Sequence, residues 1–220
     1  MPDVTAKYPP KGKVLQGGTE PQEALTDTDP TNGYRFNHVM IRIKDPEATL
    51  NFYCKLMGMR VIWVLNTGPF TGYYLGYPQT PEHRADPLKF AQDTSLHSTL
   101  CSTAGLLELC HYHGSEHLPG QYVNPGHRPP HVGFHHLGFT VPDVKATVQR
   151  LKAAGVKVFK DVGVEETDDF PVTKWDRHVK GLANDDDLDL KFLKLQAQFA
   201  FVEDPDGYLV EIVPQTLVLP

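Results

Sequence analysis

His38-Val39-Met40-Ile41-Arg42-Ile43-Lys44-Asp45-Pro46 carries a strand and the start of a helix. Val39, Ile41 and Ile43 alternate with His38, Met40 and Arg42, the two-residue period of a half-buried strand with one apolar face and one face left for chemistry. Asp45 can cap a helix, and Pro46 suits its first turn, where no backbone N–H is needed. Leu50, Tyr53 and Leu56 or Met57 then form a buried stripe that Gly58 ends. Strand-like runs follow at 60–65 and 71–77, divided by the turn residues Gly68-Pro69. A polar connection from 78 to about 103 leads to an apolar run at 106–112, closing a strand, helix, strand, strand, strand unit.

The pattern recurs at a constant offset. His136 follows His38 by 98 residues and Asp143 follows Asp45 by the same 98. His135-His136-Leu137-Gly138-Phe139-Thr140-Val141 alternates like the first strand, residues 144–154 supply a second helix ended by Gly155, and a last strand at 208–213 follows the turn Asp204-Pro205-Asp206-Gly207. An internal repeat of one βαβββ unit accounts for this order. The expected fold is α+β, built from two βαβββ modules. Its divisions are a tail or strap at 1–33, a first module at 34–113, a His-, Pro- and Gly-rich linker at 114–133, a second module at 134–214 and a tail at 215–220. The second module is interrupted at 162–198, a stretch holding Glu165-Glu166, Asp168-Asp169 and Asp185-Asp186-Asp187; insertions of that length are lids or disordered loops.

A chain of 220 residues with a net charge of −6 and a pI near 6.0 has no electrostatic footprint for phosphate backbones or anionic lipid. Nucleic acid and membrane are therefore not expected partners, and no apolar run reaches transmembrane length. Residues from Met1 onward lack the basic start and apolar stretch of a secretory signal, which points to the cytoplasm. The three cysteines, Cys54, Cys101 and Cys110, have neither an even count nor CxxC spacing, so a disulfide framework and a thiolate zinc site are not indicated.

One histidine opens each repeat and one glutamate sits in each closing strand, 70 residues on from His38 at Glu108 and 75 on from His136 at Glu211. Both glutamates interrupt aliphatic runs, Leu106-Leu107-Glu108-Leu109 and Leu209-Val210-Glu211-Ile212, where an unpaired carboxylate is costly. A divalent cation bound by both offsets that cost and employs the two imidazoles, because nitrogen and carboxylate donors together suit zinc, nickel, cobalt, iron or manganese. Taken singly, each residue has an ordinary explanation as a rim histidine or a solvent-facing edge glutamate. The repeat-related quartet favours the metal. His135 alternates to the face opposite His136 and reads as structural; His111 and His113 lie off the face of Glu108, while Cys110 and Tyr112 share it. Arg42 shares the face of His38 and can hold a carboxylate bidentately, or form a plain surface ion pair.

These motifs, with Asn51-Phe52-Tyr53, Leu56-Met57-Gly58-Met59, Leu107-Glu108-Leu109 and Asp204-Pro205-Asp206-Gly207-Tyr208-Leu209-Val210-Glu211-Ile212, resemble glyoxalase I of the vicinal oxygen chelate superfamily over roughly 34–161 and 199–214. The resemblance implies paired βαβββ modules forming curved mixed sheets around one divalent metal, commonly in a homodimer whose sites form between modules of one chain or of two. It implies His38, Glu108, His136 and Glu211 as ligands, with zinc, nickel and cobalt as alternatives. It also implies a small-molecule substrate, the hemithioacetal of glutathione and methylglyoxal, converted through an enediolate to S-lactoylglutathione. Glu211 stands at the position of the base, and Glu108 at that of its counterpart for the other stereoisomer.

The glutathione contacts match less closely than the ligands. The arginine past the first ligand is kept as Arg42, but a family asparagine falls on Tyr112 and a family arginine on Val132, with Arg128 near enough to substitute if the loop reshapes. The short basic loop before Asp204 is replaced by the long acidic insertion, whose nearest bases are Lys191 and Lys194. Two further readings therefore stand beside the glutathione-dependent lyase. One is a metalloenzyme isomerase or lyase acting on another oxygenated metabolite in a biosynthetic pathway; the other is a metabolite-binding or resistance protein, against which the full ligand quartet argues. An extradiol dioxygenase needs a coordination position that Glu108 would occupy.

Overall fold

The computed structural model describes residues 11–15, 24–179 and 188–218. The acidic run Asp185-Asp186-Asp187 lies outside the described residues, as do parts of the expected tails. The first module runs β1 (His38–Ile43), α1 (Pro46–Leu50), a π-helical continuation (Asn51–Leu56), β2 (Arg60–Asn66), β3 (Phe70–Gly76), three short helices and β4 (Leu106–Tyr112). Its sheet has the order β1-β4-β3-β2, with β1 parallel to β4 and the other pairs antiparallel. The second module repeats this topology as β5 (His136–Val141), α5 (Val144–Ala153), β6 (Val158–Lys160), β7 (Ala200–Glu203) and β8 (Leu209–Pro214), in the order β5-β8-β7-β6.

Capping follows the chemistry of the sequence. The Asp45 carboxylate accepts from the backbone N–H groups of Glu47 and Ala48, and Pro46 opens the first turn. The π turn brings Phe52 and Tyr53 together onto the buried side, where Tyr53 is fully enclosed. One core cluster then joins the modules: Ile41, Ile43, Leu107 and Leu109 of the first share it with Val148, Leu151, Val210 and Ile212 of the second. The turn at 204–207 locks them further. Asp206 accepts from the Lys44 N–H at 2.9 Å and the Thr49 hydroxyl at 3.2 Å, and Asp204 accepts from the Tyr53 hydroxyl at 2.9 Å. Burial pushes the Asp204 carboxyl up to about 7.

Two stretches differ from their expected form. The connection at 78–103 holds α2 (Pro81–Ala85), α3 (Pro87–Ser95) and α4 (His97–Ser102), with Phe90 and Leu100 packed on Ile62, Leu106 and Tyr74. The insertion holds α6 (Lys174–His178) and α7 (Leu190–Gln196), and it seats Phe170 and Leu195 on Phe199, Phe201 and Leu209. Its two ends are stapled by Lys160, a buried residue whose ammonium donates to the carbonyls of Gln196 at 2.7 Å and Phe199 at 2.8 Å. Desolvation draws that ammonium down to about 8. No helix among the described residues is long and apolar enough to cross a membrane.

Candidate metal centre

Strand alternation decides where the ligands point. Val39, Ile41, Leu107 and Leu109 enter the shared core, so His38 and Glu108 occupy the opposite face of their sheet. Val210 and Ile212 do the same in the second module, which turns Glu211 outward from the core as well. The register is identical in the two sheets: His38 pairs with Leu106 and Met40 with Glu108, as His136 pairs with Leu209 and Gly138 with Glu211. His38 Nε2 lies 3.2 Å from Glu108 Oε2, and His136 Nε2 lies 3.3 Å from Glu211 Oε2.

The structure thus brings the four expected ligands together as two pairs. Among the described residues no three metal-ligating side chains converge. An open cleft of about 810 Å³ runs between the modules along the edge strands β1 and β5; both histidines border it, with Leu107, Leu137 and Phe139, but neither glutamate does.

Each histidine is oriented from its other ring nitrogen. Asn37 spends its amide N–H groups on the carbonyls of Leu100 at 2.9 Å and Thr103 at 2.5 Å, so its Oδ1 faces His38 Nδ1 at 2.7 Å and accepts the ring proton. Nε2 is then the bare lone pair facing Glu108. His135 takes the corresponding place in the second module, with its Nδ1 2.7 Å from His136 Nδ1. Burial lowers the pKa of His135, which keeps it neutral and able to accept. The expectation that His135 lies on the opposite face does not hold, because β5 starts only at His136 and strand alternation does not extend back to residue 135.

A ring from the third strand of each sheet closes each pair. Tyr74 stands edge-on to His38 with centroids 5.3 Å apart, and its hydroxyl donates to Glu108 Oε2 at 2.8 Å. Desolvation by burial, with the adjacent Glu108, raises that phenol to about 12. Phe201 stands edge-on to His136 at 5.5 Å. Neither Asn37 nor Tyr74 was singled out by strand periodicity, since both act across strands and loops distant in sequence.

The expected substrate residues fall in two settings. Arg42 is exposed and its guanidinium sits 5.0 Å over the Tyr112 ring, on the same sheet face as Glu108. Cys110 shares that face but is buried, which raises its thiol pKa. Arg128 is engaged elsewhere: it pairs with Glu203 at 2.8 Å and donates to His127 Nε2 at 3.2 Å. Val132 is exposed.

The donor set fits a divalent ion. Two ligands about 2.1 Å from one ion and at right angles to each other stand about 3.0 Å apart, close to the nitrogen–oxygen separation of both pairs.

Comparison with known proteins agrees with this architecture. The family model described as Glyoxalase/Bleomycin resistance protein/Dioxygenase superfamily matches residues 35–212. The chain is 34% identical over 189 residues to a lactoylglutathione lyase of Pseudomonas aeruginosa, covering 85% of this chain and 86% of that protein. It is 31% identical over 189 residues to a lactoylglutathione lyase of Pseudomonas putida, covering 84% and 88%. The crystal structure of glyoxalase I from Zea mays aligns at 21% identity with a TM-score of 0.49, covering 84% of this chain and 45% of that one. With its two modules, their shared register and a family match spanning most of its length, the chain belongs to the glyoxalase/bleomycin resistance protein/dioxygenase superfamily.

Proposed function

We propose that this protein is a glyoxalase I-type lyase, isomerising the hemithioacetal of methylglyoxal and glutathione to S-lactoylglutathione, with each site assembled from two copies of the chain in a homodimer. One observation carries the reading: each module presents a preoriented His–Glu pair on the sheet face turned away from the shared core, beside an edge strand with an unpaired side. Laying β1 of one copy beside β5 of another places a pair from each on one continuous face and removes two exposed edges. The relatives named lactoylglutathione lyase support the choice of reaction.

His38, Glu108, His136 and Glu211 would hold zinc, nickel or cobalt, and such an ion supplies Lewis acidity toward the adjacent oxygens of a hydroxycarbonyl compound. Glu211 takes the proton from the carbon that bears oxygen and sulfur, and returns it to the neighbouring carbonyl carbon, so the hemithioacetal becomes a 2-hydroxy thioester without net gain or loss of atoms. Arg42, steadied over Tyr112, is placed to receive a carboxylate of glutathione.

A second reading, the same chemistry on an oxygenated metabolite other than the glutathione adduct, is favoured by the engagement of Arg128 with Glu203, which leaves Arg42 as the exposed guanidinium on the glutamate face. Thioester formation from methylglyoxal and glutathione, followed with zinc, nickel and cobalt loaded in turn, decides between them. Turnover with one of these metals supports the first reading. Stoichiometric metal binding without turnover in any form contradicts it.

A further inference from the structure

The two half-sites are near copies, and the third-strand rings that close them differ by one oxygen atom. Tyr74 and Phe201 occupy equivalent register positions, Tyr74 paired with Glu108 in β3–β4 and Phe201 paired with Glu211 in β7–β8. Both rings stand edge-on to the histidine of their pair, at 5.3 and 5.5 Å. Both are braced from behind, Tyr74 by Trp63 at 5.5 Å and Phe201 by Phe170 at 4.5 Å. The Tyr74 hydroxyl reaches Glu108 Oε2 at 2.8 Å, the same oxygen that meets His38, whereas the phenylalanine ring has no donor to offer Glu211.

We propose that the Tyr74 hydroxyl makes Glu108 the fixed carboxylate of the metal site, and that the lack of a hydroxyl at Phe201 leaves Glu211 the carboxylate free to leave the ion and carry the proton. The proposal rests on the glyoxalase reading of the site and assigns unequal duties to its two glutamates. A carboxylate held by a braced donor must give up a hydrogen bond to swing, so it stays put; one without such a donor swings without that loss. Tyr74 is thus a positioning residue for Glu108, and the asymmetry of the repeat selects the base.

The test compares Tyr74→Phe and Phe201→Tyr in the full-length protein, with cobalt as the probe. Its dissociation constant is read by chelator competition, its ligand field by visible absorption, and folding by circular dichroism. Removal of the Tyr74 hydroxyl is expected to weaken cobalt binding about 10- to 100-fold and to shift the visible bands. In a Glu108→Ala background the same change should have no further effect, because its partner is gone. Phe201→Tyr is expected to lower kcat while leaving KM and cobalt affinity near those of the parent. A Tyr74→Phe protein that binds cobalt within about threefold of the parent, with an unchanged spectrum, overturns the proposal and reduces Tyr74 to a wall of the site. An equal loss in the Glu108→Ala background also overturns it. The affinity readout needs no turnover, so it decides the Tyr74 assignment even if methylglyoxal and glutathione prove not to be substrates.

Discussion

At the scale of single residues, the account depends on four side chains whose roles differ more than their symmetry suggests. Glu211→Gln keeps an oxygen donor but removes the base, so kcat should fall by about 10²- to 10⁴-fold in the thioester assay, with metal still bound. A variant retaining full kcat would remove Glu211 from that role. The pairing of His38 with Glu108 and of His136 with Glu211 is legible in sequence because the repeat places a polar residue in each otherwise apolar strand at matching intervals. Asn37 and Tyr74 are not legible in that way. Their importance lies in contacts made across the fold, such as the bonds from Asn37 to Leu100 and Thr103, and no local pattern encodes those.

Among the elements, β4 matches the run expected at 106–112, and β1, β2, β3, β5 and β8 match within a residue or two, since one face of each strand is buried and period-2 alternation is the direct signature of that burial. In sequence, 81–102 reads as a plain polar connection, although Thr80-Pro81 and Asp86-Pro87 are cap signals of the same kind as Asp45-Pro46. Short helices bury too few side chains to show a stripe, so the cap is their main trace in sequence. Sequence does not separate lid from loop in the insertion for a related reason: Phe170 and Leu195 are isolated apolar residues whose partners on β7 and β8 become apparent only in three dimensions. Lys160 holds its two ends, and Lys160→Met would leave two buried carbonyls without a donor. A loss of about 2 to 4 kcal/mol in unfolding free energy is expected, with faster amide exchange concentrated around 190–199. A uniform rise in exchange across both sheets would contradict the stapling role.

For the whole molecule, the packing that gives stability also determines where the chemistry can occur. Val210 and Ile212 join Ile41 and Ile43 in one core, and that union turns both glutamate faces outward. The module lock adds a pH dependence. Asp204 binds its proton more tightly in the folded chain, with a pKa of about 7, than in the unfolded chain at the ordinary 3.8. Between these values the folded state holds more protons, so this residue's contribution to stability declines as pH rises from about 4 to 7. Asp204→Asn should therefore reduce the fall in Tm between about pH 5 and pH 8 by a few degrees, and a slope as steep as the parent's would contradict the assignment. The two-module architecture was legible from the 98-residue offset, whereas the outward orientation of the half-sites required knowing which faces meet.

The most direct test of the shared site is subunit complementation. His38→Ala damages only the first half-site and His136→Ala only the second, so each homodimer should be nearly inactive. In a mixed dimer built across chains, one site collects both defects and the other receives none. Refolding an equal mixture should then restore about one quarter of parental activity, the share of intact sites expected from random pairing. Activity no higher than that of the separate variants, in a mixture shown to contain mixed dimers, would contradict assembly of the metal centre from two copies of the chain.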